Sequence, residues 1–181
     1  MNSNLIDNSL ESILEHYKKA FSVKSFNDDY LDEDDLMLVF GLTQEIKSQN
    51  KQYWGRELGM CWQRIVTELC KQKCSNFNDS IKEGSDEFCD LVVGNDAIDT
   101  KYRIGSGDSG TLKKFKQYGR ELQKRGYNPV LLILRQDNLP AAITACKNGG
   151  WIVKSGNDAY EYVYKITGFD LKMWLKMRLH K

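Results

Sequence analysis

The sequence predicts an α/β domain, with an α+β tendency, in which a central mixed β-sheet is flanked by helices and preceded by an N-terminal helical segment. Three observations lead to this prediction. Segments with helical periodicity come first, a charged β-hairpin follows at residues 88–104, and the strands after it alternate with helices. The chain has 181 residues, of which 41% are hydrophobic, as is typical of one globular domain with its own core.

The first half of the chain is predicted to be mainly helical. Leu5–Ala20 has apolar residues at helical spacing, Asn27–Asp35 is an acidic loop or helix start, and a second helical run covers Asp35–Ser48. Tyr53–Lys73 is the strongest predicted helix, because its apolar residues fall within a stripe about 100° wide. Ser75–Ser85 carries serine, asparagine and glycine and is predicted to be an irregular connection.

A β-hairpin opens the second half. Phe88–Val93 predicts one strand, Gly94-Asn95-Asp96 a tight turn, and Ala97–Ile104 the strand that pairs with the first. Thr111–Arg125 is predicted to be a basic helix, which Gly126 is well placed to end.

Further strands and helices are predicted to complete the sheet. Val130–Leu134 is apolar on both faces, which is typical of a central strand. Pro140–Lys147 predicts a short helix, Trp151–Val153 and Tyr160–Ile166 predict strands, and Phe169–Leu179 predicts a closing helix. We expect residues 1–50 to form a helical segment packed on a core of residues 51–181, within a single domain.

Composition narrows the possible functions. No apolar run approaches the ~20 residues that span a bilayer, and Met1–Asn8 is polar, so we expect a cytoplasmic protein with no membrane partner. Five scattered cysteines fit reduced thiols. The net charge is +1, but residues 1–50 hold ten acids against four lysines, so the rest of the chain carries +7. This distribution suits a body that binds a polyanion, although a solvated helix face would look similar.

The second strand of the hairpin carries the most unusual pattern. Alternation places Ala97, Asp99, Lys101 and Arg103 on one face, while the other face is mainly apolar. Asp90 on the partner strand could approach Asp99, and two adjacent carboxylates are unfavourable without a cation. Mg²⁺ would resolve the repulsion and accept phosphate oxygens, and a lysine beside it could orient a water. The alternative is an exposed sheet face with cross-strand ion pairs.

The order of a helix, an Asp-bearing strand, an Asp-x-Lys strand, a helix and an apolar strand resembles the PD-(D/E)XK nucleases, which include many type II restriction endonucleases. The resemblance covers about residues 53–153 and implies that Asp90, Asp99 and Lys101 are catalytic. It also implies that Asp90, Asp99 and the Thr100 carbonyl hold Mg²⁺. Cys89 stands where the motif has proline. Residues 101–115, KYRIGSGDSGTLKKF, are similar to the ApaLI-type group of restriction enzymes.

The nuclease superfamily often adds a glutamate from the helix before the hairpin. Glu57 and Glu68 both lie at the edge of the apolar stripe and project within about 20° of each other. We favour Glu57 as the additional catalytic residue. The alternative is a solvated glutamate, or one paired with Arg56 or Arg64.

A glycine-rich loop, GSGDSG at residues 105–110, offers a different interpretation. G-x-G-x-x-G between a strand and a helix is the context of a dinucleotide-binding fingerprint. The charged strand before it, expected to pair antiparallel in the hairpin, argues against that fold. In a nuclease the loop and the next helix would contact DNA phosphates. The predicted DNA-binding residues are Arg103, Ser106, Ser109, Lys113, Lys114 and Lys116.

These observations together predict a Mg²⁺-dependent type II restriction endonuclease that cleaves double-stranded DNA at a specific palindrome. A two-fold site on DNA would require a homodimer. Two alternatives stay open: a structure-selective nuclease of the junction-resolvase or repair type, and a non-catalytic nucleotide- or DNA-binding module that uses the glycine-rich loop.

Overall fold

The computed structural model describes residues 3–21, 33–105 and 107–179. Part of the acidic segment Asn27–Asp35, and Ser106 of the glycine-rich loop, therefore lie outside the described residues. The helices described are α1 (Ser3–Phe21), α2 (Asp35–Val39), α3 (Gln44–Ser48), α4 (Lys51–Lys73), α5 (Ser109–Lys124), α6 (Pro140–Asn148), α7 (Asn157–Thr167) and α8 (Leu171–Lys176). The strands described are β1 (Phe77–Asp79), β2 (Lys82–Glu83), β3 (Asp86–Glu87), β4 (Leu91–Val93), β5 (Asp96–Lys101), β6 (Asn128–Ile133) and β7 (Ile152–Ser155).

Within the described chain, a mixed sheet of five strands has the order β1-β4-β5-β6-β7. The pairs β1/β4 and β4/β5 are antiparallel, whereas β5/β6 and β6/β7 are parallel. Strands β2 and β3 form a separate antiparallel pair. The predicted α/β fold, with a central mixed sheet flanked by helices, is therefore confirmed.

Apolar side chains cover both faces of the sheet, as the apolar run in β6 predicts. Val130 and Leu132 face a large core that also contains residues of α1, α4, α7 and α8, whereas Leu131 and Ile133 face a second core with residues of α5 and α6. The α5–α6 contact is close because Gly119 lacks a side chain: a Cβ there would lie 2.2 Å from the Gly149 carbonyl oxygen.

Two predictions about helical segments are wrong. Tyr160–Ile166 is not a strand but part of α7, in which Ala159, Tyr160, Val163 and Thr167 are buried at helical spacing. The aromatic residues suggested a strand, but the spacing of the buried residues is that of a helix. The single helical run predicted for 35–48 is divided into α2 and α3 by Gly41, whose φ of 61° breaks the helix, and by the Thr43 cap.

The strand predictions also differ from the structure in part. The first hairpin strand is shorter than Phe88–Val93, because only β4 at residues 91–93 is paired as a strand there. Part of the connection predicted as irregular at 75–85 forms β1, in which Phe77 is the partner of Val93. The sequence pattern did not indicate β1 and β2, because these strands are mainly polar and lack the apolar alternation by which strands are recognised.

Candidate active site

The residues predicted to be catalytic meet where β4 begins and β5 ends. Asp90 immediately precedes β4, and Asp99, Thr100 and Lys101 are the last three residues of β5. Leu91 is the partner of Ile98 in the antiparallel pair, which brings Asp90 beside the end of β5. The hairpin therefore brings both predicted carboxylates to the same end of the β4–β5 pair.

The carboxylate of Asp90 ends the ladder between the two strands. The Asp90 amide donates to the Ile98 carbonyl oxygen at 2.9 Å. One step further on, the amide and the hydroxyl of Thr100 both donate to Asp90 Oδ2, at 2.7 and 2.6 Å. The other oxygen, Oδ1, accepts from Gln63 Nε2 of α4 at 2.7 Å. The side chain of Asp90 is thus held between β5 and α4.

The ammonium group of Lys101 contacts three oxygens on its own strand. Lys101 Nζ lies 2.8 Å from Asp99 Oδ1 and 2.7 Å from Asp99 Oδ2, and it donates to the Thr100 carbonyl oxygen at 3.0 Å. The Asp99 side chain is 14% exposed and that of Lys101 38% exposed. A cation therefore already lies against the carboxylate and the carbonyl that were predicted as Mg²⁺ ligands.

Electrostatics at this site favour a further positive charge. Burial, with a contribution from the charge of Asp99, raises the pKa of Asp90 to about 6, although Lys101 and the hydrogen bonds from Thr100 oppose the shift. Burial lowers the pKa of Lys101, but the charges of Asp99 and Asp90 outweigh it and the net shift is upward. The two carboxylates are thus incompletely neutralised by one lysine.

The donor atoms present fit a hard divalent cation. Asp90, Asp99 and the Thr100 carbonyl supply oxygen, the ligand type that Mg²⁺ prefers. Within the described residues no three His, Cys, Asp or Glu side chains are grouped so that they could hold a metal. Mg²⁺ is often held by one or two carboxylates and keeps water and substrate phosphate as its remaining ligands.

The two carboxylates open onto different cavities. Asp90 lies on a groove of about 930 Å³ between α1 and α4, which also includes Glu57, Gln63 and Glu68. Asp99 and Lys101 line a cavity of about 190 Å³ beneath α5. The end of β5 separates the two spaces, so the candidate site is reached from both faces of the sheet.

Glu57 and Glu68 both line the groove beside Asp90, and the structure does not choose between them. Glu57 accepts from Arg56 at 3.0 and 3.1 Å, and Glu68 accepts from Gln72 at 2.6 Å. They lie six and five residues from Gln63, which is about 9 and 7.5 Å along the helix axis. Glu57 therefore stays a prediction as a catalytic residue.

Gln63 is the functional candidate that the sequence patterns did not indicate. Its amide contacts Asp90 directly, at 2.7 Å. One signal was available, since Gln63 is a polar residue set against the buried stripe of α4, between the buried residues Trp62 and Ile65. A glutamine at such a position carries no charge pattern that would distinguish it from a solvated residue.

The predicted DNA-binding residues are divided between the two sides of the glycine-rich loop. Ser109, Lys113, Lys114 and Lys116 lie exposed in the first half of α5. Lys114 also lines the cavity of Asp99 and Lys101. Arg103 is bound to Asp137, with Nε 2.8 Å from a carboxylate oxygen, and its side chain is 36% exposed. Their role in binding DNA stays a prediction.

The glycine-rich loop connects the end of β5 to the start of α5. β5 pairs antiparallel with β4, as expected for the hairpin, but it also pairs in parallel with β6, so the expectation that it does not open a parallel sheet is wrong. The φ angles of Gly105, Gly107 and Gly110 are negative, so none of these glycines adopts the left-handed conformation of a tight glycine turn. A Cβ on Gly107 would lie 2.6 Å from Leu139, so this glycine permits packing of the loop against the chain before α6.

The comparisons with known proteins agree with the sequence pattern. A family model described as ApaLI-like restriction endonuclease matches residues 59–179. A search of the curated proteins and a search of the solved structures each found no match. In the part of the chain that the structure describes, none of the helices is long and apolar enough to cross a membrane.

Proposed function

This chain belongs to the ApaLI-like restriction endonuclease family, and from that premise we propose that it is a Mg²⁺-dependent type II enzyme of the PD-(D/E)XK kind. It would hydrolyse phosphodiester bonds of double-stranded DNA at a specific palindromic sequence. The observation that carries the proposal is the set of contacts at the end of β5. There Lys101 binds Asp99 and the Thr100 carbonyl, and Thr100 in turn binds Asp90.

Each residue of the site has a distinct proposed role. Asp90, Asp99 and the carbonyl of Thr100 would hold Mg²⁺. When bound, Mg²⁺ acts as a Lewis acid on a phosphoryl oxygen and offsets the charge that develops there. Lys101 would orient the attacking water through its ammonium, which its two acidic neighbours keep protonated. Thr100 and Gln63 hold the Asp90 carboxylate in one orientation by donating to both of its oxygens.

The surroundings of the site suit a DNA duplex. The exposed lysines of α5 and Arg103 would neutralise backbone phosphates without reading sequence. A palindrome has two equivalent cleavage points, so we propose a two-fold homodimer with one site in each chain. A DNA substrate is also consistent with our expectation that the protein is cytoplasmic.

Digestion of plasmid DNA tests the proposed function. Discrete fragments in the presence of Mg²⁺, and none in EDTA, are the expected result. Cleavage restricted to branched or damaged DNA would instead identify a structure-selective nuclease. Binding of DNA without cleavage under any condition would leave the non-catalytic module.

Mutation of the site tests the assignment of its residues. Asp99→Asn should abolish cleavage while DNA binding survives, because the exposed basic residues are untouched. Lys71→Gln, a change of an exposed residue near the far end of α4, is the matched control and should cut normally. Wild-type cleavage by the Asp99 variant would end the assignment.

A further inference from the structure

The cavity onto which Asp99 and Lys101 open also receives side chains from α5. Its volume is about 190 Å³, and we call it the α5 cavity. Besides Asp99 and Lys101, the described residues that line it are Glu87, Thr111, Lys114, Phe115, Tyr118 and Trp151. Liquid water takes about 30 Å³ per molecule, so the space is large enough for a phosphate group together with water.

The α5 cavity distinguishes one lysine of α5 from its neighbours. The α5 residues that line the cavity share one face of the helix, because they are spaced i, i+3, i+4 and i+7: Thr111, Lys114, Phe115 and Tyr118. Lys113 projects about 100° away from Lys114 around the helix axis, and Lys116 about 160° away. Of the three lysines of α5 predicted to bind DNA, Lys114 is therefore the one that shares a cavity with the catalytic candidates.

Lys114 is available to bind an anion from outside the protein. Its side chain is exposed, and none of the residues that the structure describes forms a hydrogen bond or an ion pair with it. Both carboxylates of the α5 cavity contact other lysines, Glu87 with Lys82 at 3.2 Å and Asp99 with Lys101 at 2.7 Å. Lys114 thus faces the cavity without being held by either carboxylate.

Lys101 has too few donors to do the same work alone. An ammonium group carries three donors. Lys101 divides them among Asp99, the Thr100 carbonyl and, in the proposed reaction, the attacking water. A non-bridging oxygen of the phosphate therefore needs a donor from another residue.

One wall of the α5 cavity is apolar. Phe115 is 9% exposed and Trp151 is 4% exposed. Trp151 Nε1 donates to the Phe115 carbonyl oxygen at 2.8 Å, so the indole N–H is satisfied within the protein. These side chains keep water from one side of the cavity, and the attraction between an ammonium and a phosphate is screened less there than on an open helix surface.

We propose that Lys114 is a further catalytic residue, which donates to a non-bridging oxygen of the phosphodiester that is cut. This inference rests on the proposed nuclease function. It assigns Lys114 to the transition state of the reaction, whereas Lys113 and Lys116 contact other phosphates and contribute to binding. Arg103 has no place in this contact, because it does not line the α5 cavity.

The role of Lys114 follows from how charge moves in the reaction. The water oxygen forms a bond to phosphorus, and the bond from phosphorus to the 3′ oxygen breaks. The electron pair of that bond leaves with the 3′ oxygen, which takes a proton from solvent, and the attacking water loses a proton to solvent. Negative charge is spread over the non-bridging oxygens meanwhile, and the Lys114 ammonium offsets it without transferring a proton.

Single-turnover cleavage and a binding titration together test the catalytic role. The substrate is a short duplex whose cleavage point is read from the ends of the fragments that the wild type produces. With enzyme in excess and Mg²⁺ present, Lys114→Gln should lower the cleavage rate constant about 10²-fold. Lys113→Gln should lower that rate constant at least about tenfold less, and should act mainly on duplex affinity measured in EDTA. The control Lys71→Gln, on the exposed side of α4, should match the wild type in both measurements.

A neutral methylphosphonate in the duplex locates the contact. It replaces one phosphate at a time, either at the cleaved position or three nucleotides away, and affinity is measured in EDTA for the wild type and Lys114→Gln. At the cleaved position the effect of the methylphosphonate should differ about fivefold between the two proteins, because both changes remove the same contact. At the distant position the effect should be equal in both proteins.

Two results would overturn the role of Lys114. One is cleavage by Lys114→Gln at the wild-type rate, or a loss that Lys71→Gln shares. The other is an equal effect of the methylphosphonate on both proteins at the cleaved position. Since Lys114 is exposed, its replacement should leave the fold intact, and a circular-dichroism melt of each variant checks this.

The same experiments separate this proposal from the proposed function. Cleavage by the wild type together with full activity of Lys114→Gln would refute the role of Lys114 and keep the nuclease. A wild type that cuts no DNA with Mg²⁺ would refute both proposals.

Discussion

Replacing Asp90 by asparagine should make the metal-free protein more stable while removing its activity. The pKa of Asp90 is raised from 3.8 to about 6, first by burial and then by the charge of Asp99. The folded state therefore holds this proton more tightly than the unfolded state. The stability that this tighter proton binding contributes is fully present below the pKa of Asp90 in the unfolded state, and it is lost as pH rises through the pKa in the folded state. Asparagine does not ionise, so the variant avoids that loss.

The size of the effect follows from the shift in pKa. Two pKa units correspond to roughly 3 kcal/mol, as an upper limit at pH 8. At pH 4.5 the free-energy cost of Asp90 to the folded state is about a third of that value, because Asp90 then stays protonated in the folded state. The asparagine oxygen can still accept from Thr100, and Gln63 can turn its amide to present an oxygen. Allowing for imperfect hydrogen bonds, we expect a net gain of about 1–3 kcal/mol at pH 8.

Urea denaturation in EDTA at pH 4.5 and pH 8 measures this gain. The matched control is Asp99→Asn, which removes the carboxylate that contacts Lys101 at 2.7 and 2.8 Å and should give no such gain. Added Mg²⁺ should stabilise the wild type and leave the Asp90 variant unchanged. The reasoning fails if the Asp90 variant is no more stable than wild type at pH 8, or if its advantage does not grow with pH.

The remaining predictions concern the site and the packing. Lys101→Ala should lower the cleavage rate about 10²- to 10³-fold with little change in duplex affinity, and single-turnover kinetics with a binding titration would check both. Gly55→Ala should raise the free energy of unfolding by about 0.5–1 kcal/mol, because its Cβ meets open space in a helix; a loss would contradict this. Gly119→Ala should do the opposite and lose about 1–3 kcal/mol, since its Cβ would lie 2.2 Å from the Gly149 carbonyl oxygen; equal stability would refute the close α5–α6 contact. Leu132→Ala, at a side chain that is fully buried, should cost about 2–5 kcal/mol in denaturant unfolding, and a loss below 1 kcal/mol would contradict its place in the core.

The parts of the fold that were predicted correctly are those encoded by local periodicity. The stripe on α4 buries Trp54, Leu58 and Trp62, as its helical spacing indicates. The apolar run in β6 is buried on both faces, as a central strand requires. The failures come where local preference and tertiary packing disagree. Tyr160 has a strand-forming side chain, but it packs on Trp62 from a helix, with ring centres 5.5 Å apart.

Contacts of the site that join residues close in the sequence could be predicted more readily than contacts that join distant segments. The pair of Asp99 and Lys101 lies within one strand, where alternation alone places both side chains on one face. The contact of Asp90 with Thr100 joins residues only ten apart, on the two strands of the predicted hairpin, although the sequence pattern predicted an approach to the neighbouring Asp99 and no register. Gln63 escaped prediction because it reaches Asp90 from 27 residues away, on a different element.

The sequence by itself determined the class of fold, the charged strand and the order of elements that indicates a nuclease, since each depends on spacing along one segment. Tertiary structure alone decided which segments meet. It set Lys47 of α3 against Tyr102 across 55 residues, and Tyr102 against Asp34 across 68. The physical reason is that burial and charge compensation depend on how helices and strands dock. A lysine that looks like any solvated residue in the sequence becomes a buried cation beside an open cavity only when α3, α4 and the end of β5 come together.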